Sequence, residues 1–278
     1  MNKRYKLGLY EKAMPNDYGW DSKFMFAKKA GFDYIEMSID ESENKLSRLE
    51  WSNEKIHQLV NIANFENMKI GSICLSGHRK YPLGGEDEKT SLDIMEKAIN
   101  FAFEAGIPVI QLAGYDVYYQ ESSSITLKRF EKNLRYATNL ASQAGVVLGF
   151  ETMETPFMDT VEKAMNYVNK MQSAYLGVYP DIGNLNNSAL AYNHSVSEDL
   201  EKGKGHLIAL HIKETVPKKY REVPFNTGCV DFNTILNKAW DLGIRRYVTE
   251  LWYVGNEDWQ DRNKEASSLA RNILDKLQ

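Results

Sequence analysis

Four short apolar runs in this chain each end on a residue able to ligate a metal ion: Val146–Glu151, Tyr175–Asp181, His206–His211 and Arg246–Glu250. Glu151, Asp181, His211 and Glu250 recur at intervals of about thirty residues, the length of one strand-plus-helix unit. Two glutamates, an aspartate and a histidine make an oxygen-rich donor set with one imidazole, suited to Mn²⁺, Mg²⁺, Co²⁺ or Zn²⁺. Carboxylates gathered at one point repel one another, and one divalent cation removes that cost. A cation held this way binds a ketone oxygen and the adjacent hydroxyl of a sugar, and stabilises the enediolate formed when the intervening carbon loses a proton. Glu151 and Glu250 belong to runs separated by two others, so they can reach a substrate from opposite faces. One carboxylate that removes a proton and another that returns one to the far face invert a stereocentre. Glu151 and Glu250 are therefore the expected catalytic pair, and one divalent metal ion the expected cofactor.

The elements that must position these residues follow a repeating pattern. Amphipathic helical stretches end in a small or apolar residue plus glycine, and a β-branched or aromatic run follows at once. Ala30-Gly31 precedes Phe32–Glu36, Ala105-Gly106 precedes Ile107–Gln111, and Ala144-Gly145 precedes Val146–Leu148; Leu242-Gly243 precedes Ile244 and Tyr247-Val248. Glycine just past a helix takes the left-handed conformation without strain, and a short loop then feeds a strand. The pattern predicts strands near 6–11, 33–39, 69–75, 108–113, 146–151, 175–180, 207–212 and 246–251. It predicts helices near 21–30, 52–66, 88–105, 125–144, 159–171, 187–203, 231–242 and 258–277, with Ser52 and Asp159 as N-caps. The strands read as continuous apolar runs, as expected where both faces are covered. Eight such units with no break in composition predict one α/β domain over residues 1–278, closed as a (β/α)8 TIM barrel. A doubly wound open sheet is the alternative, but no G-x-G-x-x-G follows the first strand. In a barrel, functional residues come from the C-terminal ends of strands, where the four ligands would close strands five to eight.

Composition narrows the class further. Of 278 residues, 43 % are apolar, enough for a substantial core, and no run approaches the ~18 apolar residues of a membrane span. The first residues are basic, yet Leu7–Tyr10 is too short for the apolar segment of a signal peptide, so a cytoplasmic protein is expected. Two cysteines, Cys74 and Cys229, fit a reducing compartment. Basic and acidic residues number 34 and 38, giving a net charge of -4 with no Lys/Arg stripe, which argues against nucleic acid. No Walker-type motif is present, so nucleotide binding has no support. A homodimer is the default expectation for assembly.

A phosphorylated substrate would need cationic donors. His78-Arg79-Lys80, with Gly77, Gly84 and Gly85 nearby, forms a candidate anion-binding loop after the third strand, and Lys213, two past His211, points toward the same rim. His57 reads as a surface residue; His194 and His206 are badly placed for ligation. Trp252-Tyr253 and the Tyr115–Tyr119 segment read equally as pocket walls or as loop packing.

The segments Glu151–Met158 (ETMETPFM), Tyr179–Leu185 (YPDIGNL), Val223–Phe232 (VPFNTGCVDF) and Ser76–Gly84 (SGHRKYPLG) resemble those of xylose-isomerase-like barrels. Among these, the chain is most similar to the L-ribulose-5-phosphate 3-epimerase (L-xylulose-5-phosphate 3-epimerase) family of ascorbate and pentose utilisation, some members of which are called hexulose-6-phosphate isomerases. The resemblance runs nearly end to end. It implies a metal-assisted 3-epimerase that interconverts L-ribulose 5-phosphate and L-xylulose 5-phosphate through a cis-enediolate, with a small ketose phosphate as its partner. It places Glu151, Asp181, His211 and Glu250 on the metal positions and Arg221 near the substrate. Two departures stand out against relatives that act on free ketohexoses. Phe157 replaces a second glutamate six residues after Glu151, and Asn184 replaces a histidine three residues after Asp181, which makes Asn184 a candidate substrate contact. Both argue against a free-sugar substrate and leave open which groups hold the hydroxyls. Apurinic endonucleases share the fold but need many more histidines than the five present. Aldose–ketose isomerisation on a related sugar phosphate, and non-catalytic binding of one, remain the alternatives.

Overall fold

The computed structural model describes residues 4–278. Its strands are β1 (Lys6–Tyr10), β2 (Tyr34–Ile39), β3 (Ile70–Leu75), β4 (Val109–Ala113), β5 (Val147–Glu151), β6 (Leu176–Val178), β7 (Leu210–Ile212) and β8 (Arg246–Thr249). Between them lie α1 (Trp20–Lys29), α2 (Glu43–Leu46), α3 (Asn53–Phe65), α4 (Glu88–Ala105), α5 (Ser124–Ala144), α6 (Val161–Met171), α7 (Ile182–Tyr192), α8 (Val196–Lys202), α9 (Phe232–Asp241) and α10 (Trp259–Leu274). All strand pairs are parallel, in the order β6-β5-β4-β3-β2-β1-β8-β7. Two parallel bridges, Val178 with Leu207 and Asp181 with His211, join the ends of that order and close the barrel. The closure runs through two of the four expected ligands. The expected open-sheet alternative is thereby excluded.

The helices cover the barrel with one apolar face each, as their burial shows: Ile94, Met95, Ala98, Ile99 and Ala102 of α4, and Phe130, Leu134, Ala137 and Ala141 of α5, face inward. These residues fall at spacings of three and four, the helical period that lets one stripe meet the sheet. Both helices end on a left-handed glycine, Gly106 at φ 65° and Gly145 at φ 70°, and β4 and β5 begin within three residues, as the sequence pattern requires. Among the described residues no helix is long and apolar enough to cross a membrane.

Two sequence expectations about helices need correction. The single helix expected over 187–203 is two, α7 and α8, because Asn193 takes a left-handed φ of 55° and Ser195 starts a new helix through a capping box with Glu198. Ser52 caps α3 as expected, but the cap of α6 is Thr160, whose side chain accepts from Lys163 N. Asp159 instead binds Lys163 Nζ at 2.6 Å and Tyr192 OH at 2.5 Å, tying α6 to α7.

Candidate metal centre and active site

Alternation along each strand decides which side chains enter the barrel interior. On β2, Tyr34 and Glu36 share the inward face; on β3, Ser72 lies opposite Glu36 in register. On β7, His211 projects into the same layer. Glu151 ends β5, Glu250 follows β8, and Asp181 is the N-cap of α7 directly after β6. The cap has a geometric consequence. Asp181 Oδ1 accepts from Asn184 N at 2.7 Å, which fixes the carboxylate and turns Oδ2 toward the cluster.

One ligand atom from each of Glu151, Asp181, His211 and Glu250 lies within 4.8 Å of the others. His211 Nδ1 is 3.4 Å from Glu151 Oε1, 3.4 Å from Glu250 Oε2 and 3.8 Å from Asp181 Oδ2. Of these atoms, His211 Nδ1 is buried without a hydrogen-bond partner, and Asp181 Oδ2 and Glu250 Oε2 face the Lys213 ammonium, at 2.9 and 3.5 Å. Orphaned buried atoms of this kind are costly unless something fills the point they face. The donor set and its convergence fit one divalent cation.

Charge leads to the same result. Glu36, Glu151, Asp181 and Glu250 are four buried carboxylates, and among the described residues Lys213 is the one buried ammonium beside them. Lys213 Nζ lies 2.9 Å from Asp181 Oδ2, 3.5 Å from Glu250 Oε2 and 2.7 Å from Asn184 Oδ1. Burial pushes the Asp181 carboxyl up to about 7, with Lys213 opposing and Glu250 adding to the effect. Burial disfavours charge on the His211 imidazole, but Glu36 and Glu250 outweigh it and hold the ring well above its ordinary range. These are the marks of an anionic cluster short of positive charge.

The cluster is graded in exposure. Asp181 and His211 are fully buried, whereas Glu151 and Glu250, each 6 % exposed, open onto a narrow cavity at the C-terminal mouth of the barrel. Tyr10, Lys12, Cys74, Arg79, Glu154 and Arg221 form much of its wall, with Trp252, Asn184 and Lys213. Its free volume is about 60 Å³. That is narrower than the ~300–1,000 Å³ usual for small-molecule pockets. A larger cavity, about 580 Å³, lies at the opposite mouth among Lys6, Asp33, Lys69 and Arg246, far from the carboxylates. The convergent carboxylates open onto the smaller one.

The structure brings Arg79, Asn184, Lys213 and Arg221 to this cavity, as the sequence suggests, but His78 is a correction. It is buried away from the cavity wall, and its Nε2 lies 3.1 Å from the Ser91 carbonyl at the start of α4. In the one-turn helix Ser76–Arg79, His78 points to the helical layer while Arg79 points to the rim, with its guanidinium 4.8 Å above the Tyr118 ring. Phe157 packs against Phe130 and Tyr167, and Glu154 is the acidic residue of that loop on the cavity, bound to Arg221 Nη2 at 3.1 Å. Trp252 lines the pocket; Tyr253 packs against Trp259.

With the geometry in place, similarity decides the family. Residues 24–273 match the model of the xylose isomerase-like TIM barrel. L-ribulose-5-phosphate 3-epimerase UlaE of Escherichia coli (strain SMS-3-5 / SECEC) is 42% identical over 262 residues, covering 93% of this chain and 91% of that protein. The chain belongs to this epimerase family. Solved barrels agree in fold: D-psicose 3-epimerase with D-tagatose from Clostridium cellulolyticum H10 superposes with a TM-score of 0.80 at 17% identity, over 97% of this chain and 99% of that one. A xylose isomerase-like TIM barrel protein from Mycobacterium smegmatis, in complex with magnesium, gives 0.75 at 15% identity, over 99% of each chain.

Four residues around the cluster escape sequence reasoning. Glu36 binds His211, Gln111 of β4 donates from Nε2 to Glu151 Oε2, Lys12 pairs with Asp40 at 2.5 Å on the cavity wall, and Glu154 holds Arg221. Glu36 carries a signal in retrospect, an acid inside the apolar run Tyr34–Ile39; the other three do not.

Proposed function

We propose that this chain is a metal-assisted 3-epimerase that interconverts L-ribulose 5-phosphate and L-xylulose 5-phosphate. The observation that carries the reading is the division of labour in the cluster: of four convergent ligands, only Glu151 and Glu250 reach the cavity. They come from β5 and β8, on either side of the buried Asp181 and His211. A divalent cation bound by the four would polarise the substrate's ketone and stabilise the charge that develops on its oxygens.

The chain's own residues do the rest. One of Glu151 and Glu250 takes the C3 proton from one face of the sugar, and the other returns a proton to the opposite face; their roles exchange with the direction of reaction. Gln111 holds Glu151 by its amide N–H, so the carboxylate keeps one orientation. Lys213, fixed by Asn184 and Asp181, puts a positive charge beside the developing enediolate. Arg79, Arg221 and Lys12, on the wall of the cavity, form the cationic end for the phosphate, where Arg offers paired N–H donors. Trp252 and Tyr10 exclude water from the reacting face.

Incubation of L-ribulose 5-phosphate with the protein and Mn²⁺, followed by ¹³C NMR of the products, tests the reading. L-xylulose 5-phosphate as first product supports it. An aldose would make the enzyme an isomerase that moves the carbonyl, and unchanged substrate would leave a binding protein. L-ribulose without phosphate should turn over at least about tenfold less efficiently, since the cationic rim contributes on the order of 1.5–3 kcal/mol per charge-assisted contact.

A further inference from the structure

We propose that Glu36 is a positioning residue of the metal centre: it fixes the tautomer and ring plane of His211 so that Nδ1 faces the cation. The proposal rests on the reading of Glu151, Asp181, His211 and Glu250 as ligands of one ion.

Glu36 sits mid-strand on β2, fully buried, between the apolar neighbours Ile35 and Met37. Both of its oxygens are committed. Oε1 faces His211 Nε2 at 2.6 Å, while Oε2 accepts from Ser72 Oγ at 2.6 Å and from Tyr179 OH at 2.8 Å. Because a carboxylate only accepts, the proton of this imidazole bond sits on Nε2, and Nδ1 turns its free position to the cluster. Tyr179 adds a second constraint, with its ring edge-on to the imidazole at 4.9 Å and 68°. Rotation of the ring would break the Glu36 bond and strike Tyr179. Ser72 in turn is locked by register, since it lies directly opposite Glu36 across β2 and β3.

The cost of this arrangement is the argument for its purpose. An ionised carboxylate in a barrel core is expensive, and a methionine or leucine would fill the same space at lower cost. Among the three donors to Glu36, Ser72 and Tyr179 would need no anion. His211 does, because a carboxylate on the far nitrogen of a metal-ligating imidazole both orients the ring and raises its basicity. Loss of such partners typically lowers metal affinity by about 10–100-fold.

Zinc affinity of the full-length protein, measured by competition with a chromophoric chelator, tests the assignment, with the Co²⁺ d–d spectrum as a second readout. Glu36→Gln keeps an acceptor for His211 Nε2 but removes the charge, and is expected to weaken Zn²⁺ binding about tenfold and to shift the Co²⁺ bands. Glu36→Leu removes both, with an expected loss of about 100-fold. Ser72→Ala leaves the His211 bond in place and should change affinity less than about threefold. Circular dichroism establishes that each variant is folded; if Glu36→Leu does not fold, Glu36→Gln carries the test. Wild-type affinity and an unchanged Co²⁺ spectrum in Glu36→Gln, or wild-type affinity in a folded Glu36→Leu, would make Glu36 a mere filler of the barrel and overturn the proposal. Wild-type protein that binds no Zn²⁺ would instead remove the reading of the cluster itself.

Discussion

Arg221 illustrates how a single side chain can be made ready for an anion. Its guanidinium is held by Glu154 at 3.1 Å yet remains on the cavity wall, with its side chain 40 % exposed. Arg221→Met should raise KM for L-ribulose 5-phosphate about tenfold to hundredfold and leave kcat within about threefold, as steady-state kinetics would register; an equal fall in kcat would place the arginine in the chemical step instead. At this scale the sequence is informative where a residue ends a strand. Glu151, Asp181, His211 and Glu250 are legible because topology alone carries them to one rim. Glu36 stands out only as an acid inside an apolar run; its role is not legible, because its partner lies 175 residues away and only closure of the barrel brings β2 and β7 face to face across the interior. Gln111 and Lys12 fail for the same reason: nothing local separates a residue facing the site from one facing a helix.

Among the elements, the segments that hold the site carry their own ionisable clusters. Glu11, after β1, is buried among Lys23 at 2.8 Å, Arg48 at 2.6 Å and Lys45 at 3.5 Å, and it also accepts from Ser38 N. Burial alone would raise its pKa, but the hydrogen bonds and charge of Arg48 and the two lysines reverse this and hold the carboxyl far below the usual range. A depressed folded pKa contributes stability above the unfolded value near 4.3, and that contribution fades as pH falls through the window below it. Glu11→Gln should therefore cost about 3 kcal/mol or more in urea unfolding at pH 7, with the gap to wild type narrowing below about pH 4. His78 gives a second acid-sensitive window. Burial lowers its pKa from 6.5 to about 4, with the Ser91 carbonyl opposing, so its neutral form is the folded form. Its contribution is complete above pH 6.5 and drains as pH falls toward 4, by about 3 kcal/mol in all. His78→Leu should flatten that part of the stability–pH curve; an unchanged slope would contradict the assignment. The break between α7 and α8 was invisible in the helical periodicity because Asn193 is a weak local signal, although the capping box Ser195–Glu198 was present to be read.

For the whole molecule, the cation is expected to act as a fastener. Its ligands come from four consecutive strand ends, β5 to β8, and the seam where the barrel closes passes through Asp181 and His211. Binding to the folded state alone stabilises by about 2.7 kcal/mol when the free ion stands at 100 times its Kd. Thermal unfolding should therefore rise by several degrees on addition of Mn²⁺ or Zn²⁺ to chelator-treated protein and fall again with chelator. The barrel itself was legible because four helix–glycine–strand junctions and eight strand-plus-helix units signal locally, and the meeting of the sheet's two ends excludes an open sheet. The narrowness of the cavity was not, since it depends on long side chains such as Lys213 and Trp252 that converge from different loops.

The claim at the centre is that two carboxylates on opposite faces exchange the C3 hydrogen with solvent. It is tested most directly by turnover of L-ribulose 5-phosphate in D2O with metal present, reading isotope position by ¹H NMR and mass spectrometry within the first turnovers. One deuterium at C3 of the L-xylulose 5-phosphate formed, abolished together with turnover in Glu151→Gln and Glu250→Gln, is the expected result. Product that keeps its original hydrogen at C3, or deuterium that appears only at another carbon, would contradict the two-carboxylate arrangement.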